Sequence, residues 1–342
     1  MKETITYETH VQEGILLNAN ENTAGFSDTL REEITEAVRN LAFNRYPDSG
    51  QSELREAYAK VIGVSSDMVL AGNGSDQMLG FLIGSFLSEG KKLYTLQPDF
   101  SMYDYYASSY EAEVVKFKTE EDGTFDIDAF IAEGKKNGVS MVMFSNPNNP
   151  SGHLLKEAEI RKILEAFDDI PVIADEAYIE FSSVPSSISL LEEYGNLYVT
   201  RTLSKAYGLA GIRTGFLISS PDNMKKLIPA FVPYALNSVS MKIACIVLSH
   251  HDEIMKMRDL TVSERNRVYN KIRECRKVHF YPSEANFIYG KSDEKAKLLA
   301  ILKEENVVIR DYAGSPFLRI TIGTPEENDL VMKAIGKFEE TV

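Results

Sequence analysis

Cysteine is nearly missing from this chain. Of 342 residues only two are cysteines, Cys245 and Cys275, far apart and outside any CxxC pattern. That excludes a disulfide-stapled scaffold and a thiolate metal knuckle, and it fits a reducing, cytoplasmic setting. Basic residues are outnumbered too: 37 Lys and Arg face 51 Asp and Glu, for a net charge of −14. Such a surface repels phosphate backbones and anionic lipid, so neither nucleic acid nor membrane is an expected partner. No apolar run approaches the length of a membrane span. The opening MKETITYETH lacks the apolar core of a secretion signal. Histidines number five and form no HExxH. His250-His251-Asp252 looks like a metal trio, but adjacent side chains on a helix point apart, so no metal site is expected.

What is present is ordinary for a soluble globular protein: 44% hydrophobic and 26% charged residues. The length suits two domains. Polar residues 1–25 read as an extended arm. From Ser27, helical spacing and short apolar runs alternate. Strands are expected at Val69 to Ala71, Lys92 to Leu96, Glu113 to Phe117, Val139 to Ser145, Pro171 to Asp175, Leu197 to Thr202 and Thr214 to Ser219. Helices fall between most of them. This rhythm predicts an α/β fold, a mostly parallel sheet sandwiched by helices, over residues 26–230. Past Pro233 a long charged helical tract, Ser238 to Glu274, precedes short strands and helices. Residues 231–342 therefore read as a smaller α+β domain.

Ligands of such sheets bind at the carboxyl ends of the strands, and the suggestive residues fall there. GNGSDQ (Gly72 to Gln77) turns a strand into a helix whose orphan N–H groups and dipole suit an anion. It lacks the third glycine of a dinucleotide fingerprint. Gly84 to Lys91 is one residue too long for a phosphate-binding Walker loop. NPNNPSG (Asn146 to Gly152) and DEAY (Asp175 to Tyr178) end two further strands. RTLSKAYGLAGIRTG (Arg201 to Gly215) puts Lys205 after a serine and Arg213 eight residues on. A lysine among hydroxyls beside a fixed cation suits Schiff-base chemistry with a phosphate-bearing aldehyde. Taken alone, the same stretch reads equally well as a loop with one surface lysine.

As a set, NANEN, NRYPD, GNGSDQ, PDFSMY, NPNNPSG, DEAYIEF, RTLSKAYGLAGIRTG and LRITIGTPEEN resemble the fold-type-I pyridoxal-phosphate enzymes. Within them, the likeness is greatest to the histidinol-phosphate aminotransferases of the class I/II group. The motifs run in order from residue 18 to 328. The resemblance implies the cofactor pyridoxal 5′-phosphate, attached to Lys205, with Asp175 pairing the ring nitrogen. It places Asn149 and Tyr178 on the phenolic oxygen and Phe100 against the ring face. Gly74, Ser75, Asp76, Thr202, Ser204 and Arg213 would surround the phosphate. Tyr46 would reach that phosphate from the other subunit of a homodimer. For substrate it points to Arg319 with Arg310, to Tyr7 and to Asn20. The implied reaction is transamination from L-histidinol phosphate to 2-oxoglutarate in histidine biosynthesis. A threonine-phosphate decarboxylase and an aromatic amino-acid aminotransferase are rivals on the same scaffold. A non-catalytic PLP-binding regulator would need a basic DNA-reading domain, and none is visible.

Overall fold

The computed structural model describes residues 13–341. Within these residues twelve strands form two sheets. In chain order they are β1 (Ile15–Leu17), β2 (Val69–Asn73), β3 (Lys92–Gln97), β4 (Glu113–Lys118), β5 (Met141–Ser145), β6 (Val172–Asp175), β7 (Leu197–Thr202), β8 (Thr214–Ser219), β9 (His279–Phe280), β10 (Phe287–Lys291), β11 (Val307–Asp311) and β12 (Phe317–Thr321). The larger sheet runs β2-β8-β7-β6-β5-β3-β4. Its pairings are parallel except that β8 runs against both of its neighbours. β5, β6, β7 and β8 are buried from end to end. That explains the unbroken apolar run Met141–Phe144 of β5 and the lack of polar alternation in β6: strands covered on both faces need none.

The smaller sheet runs β1-β11-β12-β10-β9. Its first strand comes from the N-terminal stretch, which the sequence suggested was only an arm. Ile15–Leu17 pairs in parallel with Val307–Ile309. Three residues are too few to show a period, so this pairing left no local signal. The helical tract after Pro233 is two helices, Ser238–Ser249 and His251–Ile272, with a break at His250. The first of them carries Ala244, Cys245 and Val247 into the core of the larger sheet. The texture change at Pro233 marks a turn and not the edge of that core. The second helix spans both cores: Ile254 lies in the larger, Val268 and Ile272 in the smaller. No described helix is long and apolar enough to cross a membrane.

Candidate active site

The carboxyl ends of β2, β5, β6 and β7 meet on one rim. A cleft there is lined by Ser75, Asp76, Phe100, Asn149, Asp175, Tyr178, Thr202, Ser204, Lys205 and Arg213. It opens on a larger cavity of about 1050 Å³, which adds Asn20, Arg310 and Arg319 from the smaller sheet's side. The two share Phe100, Asn149, Tyr178 and Lys205. One expected residue lies apart from both. Tyr46 is 83% exposed, its ring 4.9 Å from that of Tyr234. Tyr7 lies outside the described residues.

Lys205 follows β7 on a short turn. Its Nζ donates to the Ala19 carbonyl at 2.9 Å and sits 5.8 Å from the centre of the Tyr178 ring. Burial lowers its pKa to about 8, helped by Arg319 and Arg213 and opposed by Glu21 and Asp76. A neutral amine, the form that attacks an aldehyde, is thus accessible near neutral pH. Uptake of pyridoxal phosphate by the apo-protein should accelerate with pH and level off above about 8. A stopped-flow rate still climbing toward the ordinary lysine range, about 10.4, would contradict this.

Asp175 ends β6 and is buried. Thr200 donates to its Oδ1 and Tyr103 to its Oδ2, both at 2.9 Å. Burial pushes its pKa up to about 6, while those two donors favour the ionised form. Neither Thr200 nor Tyr103 stood out in the sequence. They lie 25 and 72 residues from Asp175, and only the fold joins them.

The helix Gly74–Phe86 starts with no side chain capping it. Its first N–H groups are therefore left for a ligand or solvent. Gly74 has φ 82°, and a Cβ there would stand 2.8 Å from Arg213 Nη2. A Cβ on Gly215 would stand 2.1 Å from the Ser75 nitrogen, so the strand backbone lies against the helix start. Arg213 is held by Asp76 at 2.5 Å. Thr202 Oγ1 donates to Ser204 Oγ at 2.9 Å. An uncapped helix start, two hydroxyls and an arginine form a cup suited to a phosphate.

Asn149 Oδ1 accepts from Arg319 Nη1, and Arg319 Nη2 donates to the Asn18 carbonyl at 3.0 Å. Asn20 is buried, and its amide donates to the Tyr178 hydroxyl at 2.9 Å. Its backbone N–H and side-chain oxygen both engage Thr321. So Asn20, expected at the substrate, ties Tyr178 to the smaller sheet while bordering the cavity.

Residues 12–335 match the family model for aminotransferase class I and II. The chain belongs to that family. Histidinol-phosphate aminotransferase from Clostridium kluyveri is 35% identical over 327 residues, which is 95% of this chain and 93% of the relative. The crystal structure of histidinol-phosphate aminotransferase from Sinorhizobium meliloti in complex with pyridoxal-5′-phosphate superposes with a TM-score of 0.86 at 21% identity, over 95% of this chain and 90% of that one. L-threonine-O-3-phosphate decarboxylase from Porphyromonas gingivalis gives 0.81 at 25% identity, over 96% of this chain and all of the other. The aminotransferase thus has the fold-type-I architecture expected from its motifs. Its cleft joins a nucleophilic amine, a buried carboxylate and an anion cup, the parts a phosphate-bearing aldehyde cofactor requires.

Proposed function

We propose that this aminotransferase holds pyridoxal 5′-phosphate in the cleft and moves the amino group of L-histidinol phosphate to 2-oxoglutarate. The observation that carries the donor class is a pair of arginines. Arg310 and Arg319 are direct cross-strand partners on β11 and β12 and line the same cavity. Neither has a carboxylate partner among the described residues, and Arg319 Nε is buried without any partner. Like charges placed opposite each other on a ladder repel. In a chain of net charge −14, leaving both without a carboxylate among the described residues argues for an anionic ligand between them. A phosphate on the donor matches that need. A donor without one leaves Arg310 unmatched, which weighs against the aromatic amino-acid reading.

When bound, the cofactor supplies an electron sink for charge developing at the donor's Cα. The chain's residues do the rest. Lys205 would be the point of attachment, and its amine would be the base that carries the Cα proton. Asp175, steadied by Thr200 and Tyr103, would keep the ring nitrogen protonated. Asn149 and Tyr178 would hold the phenolic oxygen. Phe100 would cover one ring face, keeping water off it. The helix start at Ser75 and Asp76, with Thr202, Ser204 and Arg213, would anchor the phosphate.

The decisive experiment is an absorbance titration of the loaded protein with L-histidinol phosphate and no keto acid. The band of the lysine-bound cofactor should fall as that of its aminated form grows, and 2-oxoglutarate should reverse the change. An unresponsive band together with CO₂ release from O-phosphothreonine would establish the decarboxylase reading.

A homodimer belongs to the same proposal. Phe43, Tyr46, Val232 and Tyr234 are large apolar side chains left 70%, 83%, 54% and 48% exposed. An apolar patch of that kind fits a partner surface. Tyr46 would enter the partner's phosphate cup. Sedimentation should show a dimer, and Tyr46→Ala should weaken cofactor retention roughly tenfold, the value of about one hydrogen bond to a charged group. Cytoplasmic location is part of the reading, supported by the two free cysteines and the acidic surface. As for domains, we place β1 and the chain from the middle of the His251–Ile272 helix onward in the smaller unit, because most of their buried apolar residues share its core; Ala285 and Phe287 pack into the larger one.

A further inference from the structure

Asp99 stands between β3 and the Met102–Ser109 helix and borders the large cavity. Its carboxylate bonds to both sides of the cofactor cleft. Oδ1 accepts the Phe100 backbone N–H at 2.8 Å and the Ser145 hydroxyl, and Oδ2 accepts the Ser145 backbone N–H at 3.2 Å. The Ser145 oxygen in turn accepts the Asn149 backbone N–H at 2.9 Å and the Asn148 side-chain amide at 3.4 Å. So one carboxylate ties Phe100, which would cover the ring, to the loop carrying Asn149, which would hold the phenolic oxygen. Placing it there is costly. Burial pushes the Asp99 carboxyl up to about 8, with Asp175 adding repulsion and the Ser145 and Phe100 donors opposing. A turn alone would not need an acid group in so poorly solvated a place.

We propose that Asp99 is a positioning residue of this active site: through Phe100 N–H and Ser145 it fixes the spacing between the ring-covering side chain and the Asn149 amide. This inference rests on the cofactor reading given above. Sub-ångström control of that spacing matters because a misplacement of about 1 Å at a reacting centre can cost roughly a hundredfold in rate.

The test uses the pyridoxal-phosphate-loaded enzyme and the variants Asp99→Ala, Asp99→Asn and Ser145→Ala. Three quantities are read: kcat against KM for L-histidinol phosphate, the visible circular dichroism of the bound cofactor, and the melting temperature of each apo-protein. Asp99→Ala should lower kcat about ten- to a hundredfold, with donor KM changed less than about threefold, since the arginine pair is untouched. Its dichroic band should shrink. Ser145→Ala, which keeps the carboxylate but cuts the link to Asn149, should shrink the band in the same way. Asp99→Asn keeps the acceptor for the Phe100 N–H and the Ser145 hydroxyl but loses the one for the Ser145 N–H, and should recover part of both losses. Unchanged kcat and dichroism in Asp99→Ala would overturn the proposal. So would losses that simply track a fall in apo-protein melting temperature and that asparagine does not rescue. If the wild-type protein takes up no pyridoxal phosphate at all, the cofactor reading fails first and this inference falls with it.

Discussion

Replacing Lys205 by alanine should lower kcat by at least about 10⁴-fold, or about 5 kcal/mol of barrier. The substitution removes two functions at once. One is the amine that attaches the cofactor; the other is the base that moves the donor's Cα proton. Its Nζ has the surroundings for both: a single hydrogen bond to Ala19, the Tyr178 ring beside it, and a pKa brought down to about 8 by burial and by Arg319. The phosphate cup and Asp175 are untouched, so the variant should still bind the cofactor, non-covalently. Its absorption should be that of the free aldehyde. Added methylamine should restore part of the activity by supplying the missing amine. A Lys205→Ala enzyme within about tenfold of wild type would rule out the assigned role.

Arg319→Ala should have the second largest effect. Two hydrogen bonds to a charged phosphate, at about 1.5–3 kcal/mol each, put the loss in kcat/KM for L-histidinol phosphate at roughly 10²–10⁴-fold. Arg319 also holds Asn149 and the Asn18 carbonyl, so part of its loss will appear in kcat. Arg310 has no such ties among its described hydrogen bonds, and its ring contact is with Tyr312. Arg310→Ala should therefore raise KM about tenfold with little change in kcat. Lysine should rescue neither position well, because a point charge does not reproduce the planar fork. The discriminating control is L-histidinol without its phosphate. The wild type should use it poorly, and the two arginine variants should lose far less against it than against the phosphate ester. Equal losses against both donors would show that the arginines grip something other than phosphate.

Legibility in the sequence followed the range of each interaction. Lys205, Asp175, Asn149 and Tyr178 stood at strand ends inside local turn chemistry, and the fold brings them to one cleft. The seven-stranded sheet was legible as a series of apolar runs, because strands covered on both faces keep a continuous pattern. What failed to show was whatever depends on partners distant in the chain. Ile15–Leu17 joins Val307–Ile309 across nearly the whole sequence. Thr200 and Tyr103 matter only through Asp175. Asp99 looked like one letter of a PDFSMY motif until Ser145 was found against it. Asn20 was expected at the substrate and borders the large cavity, but its bonds to Tyr178 and Thr321 left no local signal. The break at His250 was also hidden, because it falls inside a tract that read as one long charged helix.

One measurement bears most directly on the central claim. The loaded protein is reduced with borohydride, digested, and its peptides weighed by mass spectrometry. The peptide containing Lys205 should carry the mass of the reduced cofactor, stoichiometrically, and Lys205→Ala should carry none. Label on any other lysine, or no label on a protein that is visibly loaded, would contradict the account of this site.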